Sequence, residues 1–182
     1  MLSGCWNSGH RAARIRNMLD EQTTPFTKED FARMQNDVIS GRAVECTPKL
    51  ISVLRSVEDA AVQEAISLLD SWDGAMEVDS AAGAIFNVFY TMWQTRVSQE
   101  RLPAEMLGFV GRASGGIASR LIDEDPSGWF EANDHKAAVI ETFENALAML
   151  KERYGEDINQ WAWGKLHVLT KSHVLDHIGD LG

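Results

Sequence analysis

The chain has 182 residues, of which 45% are hydrophobic and 24% charged, and this composition is typical of one globular domain with a substantial core. Its 17 basic and 27 acidic residues give a net charge of −10, and the cations are spread along the chain, which argues against a nucleic-acid-binding protein. No apolar run approaches the roughly 18 residues that a membrane-spanning helix needs. The two cysteines, Cys5 and Cys46, are compatible with one disulfide or with none.

Amphipathic spacing predicts helices throughout the first part of the chain. Residues 9–20 place their apolar side chains on one stripe of a helix, with arginines around it. Thr27 is a good N-cap for a second helix, and Asp30 three residues later approximates a capping box. A third helix is predicted to begin with Thr47 as its cap and Pro48 at the first helical position.

The middle of the chain carries the most hydrophobic predicted element. A helix is expected over residues 58–72, and the pair Asp73–Gly74 then predicts a turn. Residues 80–97 follow and are apolar on nearly every side, with small residues first and bulky aromatic residues later. A helix that is apolar all round belongs in the centre of a structure.

The last third is less regular at first. Residues 103–130 are rich in glycine, with helical pieces expected near 104–110 and 116–122. A long helix is predicted over 134–154, capped by Asp134 and ended by Gly155, and the alternation that follows suggests a short strand at 165–170. The fold class is therefore mainly α, a helical bundle with at most a short strand near the C-terminus.

Read locally, the sequence contains no complete active site. His167, His173 and His177 form a cluster, and the last two are spaced for one face of a helix, but the segment lacks the glutamate of a zinc-peptidase motif, which favours ordinary histidines over metal ligands. Adjacent carboxylates lie mostly at helix starts or in loops, where they stay solvated. Neither cysteine has a recognisable base beside it in the sequence.

Five sequence segments nevertheless follow one another in a recognisable order: HRAARIRNML, FTKEDFARMQNDVISGRA, TPKLISVL, LLDSWDGAMEVDSAAGAIFNVFY and YGEDINQWAWGKLHVLTKSHVL. Their order and residue pattern resemble the β-chain of the penicillin acylase (penicillin amidase) family of N-terminal nucleophile hydrolases, over about residues 9–175. The resemblance implies that residues 1–182 are a single partial domain, the helical portion of an αββα fold.

The resemblance also implies what lies outside the chain. Family members expose an N-terminal Ser, Thr or Cys whose own α-amine acts as base, and an Asn with backbone N–H groups stabilises the oxyanion. Ser3 is not a candidate nucleophile, and Asn7 is too close to the first helix to be the oxyanion residue. We therefore expect truncation at both ends, with the nucleophile-bearing sandwich absent.

One functional residue carries over by position. Arg11 matches an arginine that lies near the active site of related acylases and helps to orient the oxyanion Asn and the substrate, a task that suits a planar guanidinium. Its alternative role is that of a surface cation on an amphipathic helix. Arg14 is expected to be a structural ion-pair partner. Five further matched residues are expected to serve in packing or turns: Asp37, Trp72, Asp73, Trp163 and His167.

The function implied is hydrolysis of the linear amide between an acyl chain and an amine nucleus, of the β-lactam, acyl-homoserine lactone or lipopeptide class. The segment alone is expected to be inactive, and the alternative is a stand-alone helical binding or scaffold protein derived from the family. Its expected partners are the α-chain and the N-terminal part of the β-chain of its precursor, with no nucleic acid and no membrane span.

The resemblance carries two further expectations. No cofactor or metal is expected in this segment, since the structural calcium of family members is bound outside it. Family members are periplasmic or secreted, although no signal peptide is recognisable in this segment.

The six tryptophans and the apolar 80–97 helix predict exposed apolar patches, which the absent polypeptide would otherwise cover.

Overall fold

The computed structural model describes residues 9–107, 115–131 and 134–170. These residues form eight α-helices and two single-turn 3₁₀ segments, in this order: α1 His10–Asp20, α2 Lys28–Gln35, α3 Gly41–Leu54, α4 Ala60–Asp70, α5 Ala81–Arg101, a 3₁₀ turn Ala104–Met106, α6 Gly115–Arg120, α7 His135–Tyr154, a 3₁₀ turn Ile158–Gln160 and α8 Trp163–Leu166. The described part of the chain contains no strand, only an isolated antiparallel bridge between Ile39 and Ala75. The prediction of a mainly α fold is confirmed. No helix in these ranges combines the length and the apolarity needed to span a bilayer.

Local capping chemistry sets most helix starts. At α2 the Thr27 hydroxyl accepts the backbone N–H of Asp30, whose carboxylate accepts the Thr27 N–H at 2.9 Å, so the predicted capping box is confirmed. The carboxylate of Asp59 caps α4 by accepting two backbone N–H groups, and the helix therefore begins at Ala60. Gly155 ends α7 with φ +92°, as its position predicted. Asp134 occupies the N-cap position of α7 without a capping hydrogen bond from its side chain.

The start predicted for the third helix is wrong. Helix α3 begins at Gly41, where the Ser40 hydroxyl accepts the Ala43 N–H, and it runs through Thr47 and Pro48 to Leu54. Proline lacks the N–H of one intrahelical bond, which normally disfavours an interior position. Here the turn before the proline is held by burial, because Ala43 and Cys46 are in the core.

Helix α5 lies at the centre of the bundle, as predicted. It packs along α7 and also contacts α4, α6 and α8. Phe89 of α5 meets Phe143 of α7 edge to face at 5.7 Å, and Trp93 stacks on Phe130 at 5.4 Å. The expected exposure of this helix is wrong, because the chain covers α5 with its own helices and Trp93 is fully buried.

Exposed apolar side chains cluster at the N-terminal end of the described chain instead. Helix α1 buries none of its residues, and Phe31 on α2 is 50% exposed. Phe31 stacks on Phe26 at 5.4 Å, so the two rings form one apolar surface. We call the following set the α1–α2 face: Ile15, Leu19, Phe26, Phe31 and Val38.

The strand predicted at 165–170 does not form. Residues Trp163–Leu166 make a short helix, and the Trp163 ring stacks on His167 with ring centroids 4.9 Å apart, a pairing that one helical turn brings together. The segment is held against the start of α5, since the Trp163 N–H donates to the Ser80 carbonyl at 3.1 Å and the Gly164 N–H to the Val78 carbonyl at 2.7 Å.

Candidate functional site

A groove of about 670 Å³ lies between α1, α2 and the beginning of α3. Its apolar lining comes from Ile15, Met18, Phe31, Met34 and Ile39, and its polar lining from His10, Arg11, Arg14, Gln35, Asp37, Ser40, Gly41 and Arg42. The lining contains three arginines and one carboxylate, so it is cationic in a chain of net charge −10. A groove lined by apolar side chains together with some polar and charged groups is a typical binding site for a small molecule.

Arg11 lies in this groove. It is exposed on α1, and within the described ranges it forms no ion pair with a carboxylate. Its guanidinium therefore remains available to a ligand, as a guanidinium donates several hydrogen bonds in one plane.

Arg14, one turn further along α1, is committed to a structural pair. Its Nε donates to Asp37 Oδ2 at 3.0 Å and its Nη2 to Oδ1 at 2.7 Å, a two-pronged contact that ties α1 to the segment after α2. The hydrogen bond from Arg14 lowers the pKa of Asp37, although partial burial opposes that shift. The same bond raises the pKa of Arg14. The ion pair expected of Arg14 is confirmed, with Asp37 as its partner.

This pair gives the chain a defined pH dependence. Because the pKa of Asp37 is lowered in the folded chain, the unfolded chain takes up its proton first as the pH falls. The stabilisation is therefore present above the ordinary carboxyl pKa of roughly 4 and is lost as the pH falls through the folded pKa. We expect Asp37→Asn to lower the free energy of unfolding by roughly 1–2 kcal/mol at neutral pH.

Urea unfolding followed by circular dichroism between about pH 3 and 7 checks this prediction. The difference in the free energy of unfolding between the variant and the parent chain should shrink toward pH 3. Asp20→Asn, which removes an exposed charge at the end of α1, is the matched control. A difference in the free energy of unfolding that stays constant with pH would contradict the assignment of the Arg14–Asp37 pair.

Arg42 lines the groove from α3 and rests on a buried support that the sequence did not reveal. Its guanidinium carbon lies 4.7 Å from the centre of the Tyr90 ring, in cation–π contact. The Tyr90 hydroxyl donates to the Gly115 carbonyl at 2.6 Å and lies 2.7 Å from Ser119 Oγ. Burial raises the pKa of Tyr90, so the phenol stays protonated and able to donate at neutral pH. The signal that could have found this support is a phenol on an all-apolar helix, because a buried hydroxyl requires a partner.

Cys46 lies beside the same support. Burial raises the pKa of its thiol, while a hydrogen bond with Ser119 acts in the opposite direction. A thiol nucleophile needs a lowered pKa, so Cys46 is a core residue. Cys5, the other cysteine of the sequence, lies outside the described residues.

The other matched residues serve the local structure, as expected. The Trp72 indole N–H donates to the Ala75 carbonyl at 2.8 Å, and Asp73 Oδ1 accepts the Ala75 N–H at 2.9 Å. These bonds close the predicted turn, in which Gly74 has φ +86°. Trp163 and His167 form the stacked pair described above.

Four residues considered in the sequence lie outside the described ranges: Ser3, Asn7, His173 and His177. Among the residues that the structure does describe, no three His, Cys, Asp or Glu side chains come together closely enough to hold a metal ion.

Comparison with known proteins identifies the family to which the chain belongs. The sequence profile of the penicillin amidase family matches residues 1–181, so the chain is a member of that family. It is similar to the acyl-homoserine lactone acylase QuiP of Pseudomonas aeruginosa, with 25% identity over 91% of this chain and 22% of that protein. QuiP of Pseudomonas fluorescens is 22% identical, over 91% of this chain and 23% of its own length. The chain thus spans less than a quarter of the length of these relatives.

Proposed function

We propose that this chain is the helical part of an acylase that hydrolyses the linear amide between an acyl chain and an amine-bearing nucleus. The observation that carries the proposal is the groove beside α1, which Arg11 lines together with five apolar side chains, in a chain of the penicillin amidase family. The names of the relatives support acyl-homoserine lactones as one substrate class. β-Lactams and lipopeptides are the other classes that the family resemblance supports.

In this proposal the chemistry is divided between this chain and the rest of a precursor. The nucleophile, its α-amine and the oxyanion Asn belong to polypeptide outside residues 1–182. The groove accommodates the substrate, and the planar fork of Arg11 orients the oxyanion Asn and the scissile amide from one side. Export to the periplasm or beyond belongs to the same proposal.

The exposed α1–α2 face supports a partner at this end of the bundle. Its five apolar side chains are each between 39% and 50% exposed, and the stacked rings of Phe26 and Phe31 lie within it, so the face offers apolar area that a partner would bury. The rest of the acylase would cover it and would at the same time border the groove, since Ile15 and Phe31 belong to both.

A chimera provides the test. This chain replaces the matching segment of Pseudomonas aeruginosa QuiP, and release of homoserine lactone from an N-acyl-homoserine lactone is measured, with the isolated chain as an inactive control. We expect Arg11→Gln to lower kcat/KM about 100-fold, the order of effect of removing an oxyanion-orienting donor. Arg16→Gln, on the same helix but outside the groove lining, should leave the rate within about twofold of the parent.

Self-cleavage of the chimera, seen as two chains on a denaturing gel, reports folding separately from turnover. A chimera that cleaves itself but releases no homoserine lactone would contradict the proposal. Turnover by the isolated chain would contradict the division of the chemistry. Equal losses in Arg11→Gln and Arg16→Gln would remove the role of Arg11.

The self-contained core favours a second candidate, a helical binding or scaffold module that has lost the chemistry. Trp93 and the other large side chains of α5 are covered without further polypeptide. The reading frame upstream separates the two candidates. A continuous frame that encodes a serine-led strand supports the acylase, and a stop codon followed by a promoter supports the module.

A further inference from the structure

We propose that a second groove, between α3 and α4, binds a short peptide with free ends, its ammonium group beside Asp70 and Asp73 and its carboxylate beside Arg55. This α3–α4 groove has a volume of about 270 Å³ and shares no lining residue with the groove beside α1. The inference goes beyond the acylase function, because it concerns a different surface of the chain.

A buried hydroxyl without a partner is the first observation. Thr47 of α3 lines the α3–α4 groove and is 6% exposed, and within the described ranges its Oγ1 forms no hydrogen bond. Buried polar groups are normally paired, since an unpaired one costs free energy. Oγ1 is shielded from bulk water, but a rotation about the Cα–Cβ bond exchanges the hydroxyl with the methyl group. Threonine in a helix populates two such rotamers, so the hydroxyl can turn toward a ligand.

A backbone carbonyl that lacks its helical donor is the second observation. Pro48 lies inside α3 and has no N–H, so the Val44 carbonyl one turn earlier lacks the hydrogen bond that a helix interior normally supplies. Val44 and Pro48 are both exposed and both line the groove. Thr47 is three residues after Val44, so the hydroxyl and the carbonyl belong to one turn of the helix. A peptide unit suits this pair, because it carries one N–H donor and one C=O acceptor.

The charges of the lining differ between the two ends of the groove. A Cβ on Gly74 would lie 2.8 Å from Val44 Cγ2, so the turn that contains Asp73 packs against the beginning of α3. Asp70, at the end of α4, precedes this turn and also lines the groove. Arg55 lines it from the other end of α3, about 16 Å further along the helix axis. Within the described ranges, Arg55 and Asp70 are exposed and neither forms an ion pair.

This arrangement of charges selects a peptide with both ends free. Three extended residues span roughly 10 Å, and the long side chain of Arg55 reaches back along the groove that it lines. The ammonium group then lies beside the carboxylates, and the carboxylate accepts charge-assisted hydrogen bonds from the guanidinium. The volume of the groove suits a ligand of this size and is too small for a folded partner.

Trialanine is the probe, and NMR titration of the 182-residue chain at low ionic strength measures its binding. N-acetyl-trialanine lacks the ammonium charge, and trialanine amide lacks the carboxylate. We expect each capped peptide to bind about tenfold more weakly than trialanine, and added salt to reduce the difference. The amide signals that shift should be those of residues 44–55 and 69–74, which border the groove.

Two variants separate binding from folding. Thr47→Val removes the unpaired hydroxyl, and Pro48→Ala supplies the N–H that the Val44 carbonyl lacks. We expect each variant to bind trialanine about fivefold more weakly, because one hydrogen bond to the peptide is lost. The urea midpoint of the free chain should nevertheless rise in both, since each change removes an unpaired polar group or a helix breaker.

Charge variants test the orientation of the peptide. Arg55→Gln should make trialanine and its amide bind alike, and Asp70→Asn should reduce the preference for trialanine over its acetylated form. Thr95→Val changes an exposed threonine on α5 outside the groove, so it is the matched control and should bind trialanine as the parent chain does.

A parent chain that binds trialanine no more tightly than its capped forms overturns the proposal. Shifts confined to residues away from the groove also overturn it. So does a Thr47→Val or Pro48→Ala variant that binds as the parent does, or that loses binding together with stability, since the latter is the mark of a merely structural role. None of these measurements depends on turnover, so failure of the acylase function would leave the result for the peptide unchanged.

Discussion

Replacing Trp93 by alanine is expected to lower the free energy of unfolding of this chain by about 3–5 kcal/mol. The side chain is fully buried at the centre of the bundle and stacks on Phe130 at 5.4 Å and on Phe89 at 6.4 Å. Its indole N–H donates to the Ala118 carbonyl at 2.8 Å, so the replacement leaves a cavity and an unpaired buried acceptor together. A domain of this size is typically stable by only about 5–15 kcal/mol, so the variant should lose much of its cooperative transition.

Urea unfolding followed by near-ultraviolet circular dichroism measures this effect. Trp93→Phe separates its two causes, because it keeps most of the ring contact and removes the donor to Ala118. We expect that variant to lose about 1–3 kcal/mol. A loss below about 1 kcal/mol in Trp93→Ala would contradict the central placement of α5.

Gly164→Ala is expected to lower the free energy of unfolding by about 2–3 kcal/mol, through overpacking. A Cβ at this position would lie 2.5 Å from Val78 Cγ1 and 3.0 Å from the Val78 carbonyl oxygen. The same carbonyl accepts the Gly164 N–H at 2.7 Å, so the backbone would have to move apart and weaken that bond. The contact between α8 and the start of α5 should loosen, which hydrogen exchange at residues 78–84 and 163–166 detects.

Two further variants test the cause of this effect. Val78 is 74% exposed, so Val78→Ala alone should change little, whereas Val78→Ala combined with Gly164→Ala should recover part of the loss. Gly116→Ala on α6 has open space around its position and should be neutral or slightly stabilising. Similar losses in Gly116→Ala and Gly164→Ala would show that the alanine, and not the close approach, is responsible.

The helix starts that local chemistry controls were readable from the sequence. Thr27 with Asp30 is a short-range signal, and so is the turn around Gly74. The start of α3 was misread because Thr47 and Pro48 carry the strongest local start signal in that stretch. The residues that decide the matter, Ala43 and Cys46, act through burial against distant helices, and no local pattern reports that burial.

The C-terminal misreading has a similar origin. Alternation around residue 165 predicted a strand, since period-two patterning is the main signal for one. The same letters place Trp163 and His167 four residues apart, and stacking of the two rings favours a helical turn. The described part of the chain offers no strand for this segment to pair with, so the alternation leads to no strand there.

The residues of the candidate site likewise fall into two groups, those that the sequence indicates and those that only the tertiary structure reveals. Arg11 was found through the family pattern around it, and Arg14 through the same helix, whose pair with Asp37 spans 23 positions of the chain. The Arg42–Tyr90 contact joins α3 to α5, whereas the sequence indicates only that Tyr90 is one of the bulky aromatic residues of the apolar 80–97 segment. Such a contact is defined by tertiary packing, which single-sequence patterns do not encode.

The backbone hydrogen bonds from Trp163 and Gly164 to Ser80 and Val78 can form only late in synthesis. More than 80 residues separate the bonded groups. The start of α5 therefore lacks both hydrogen bonds until residues 163 and 164 have been translated. Nascent chains that end shortly before residue 163 would carry every large core side chain of α5, yet the start of that helix would remain exposed to water. Ribosome-stalled intermediates of increasing length should therefore become protease-resistant abruptly, at the length that delivers Gly164, and not gradually as each helix emerges.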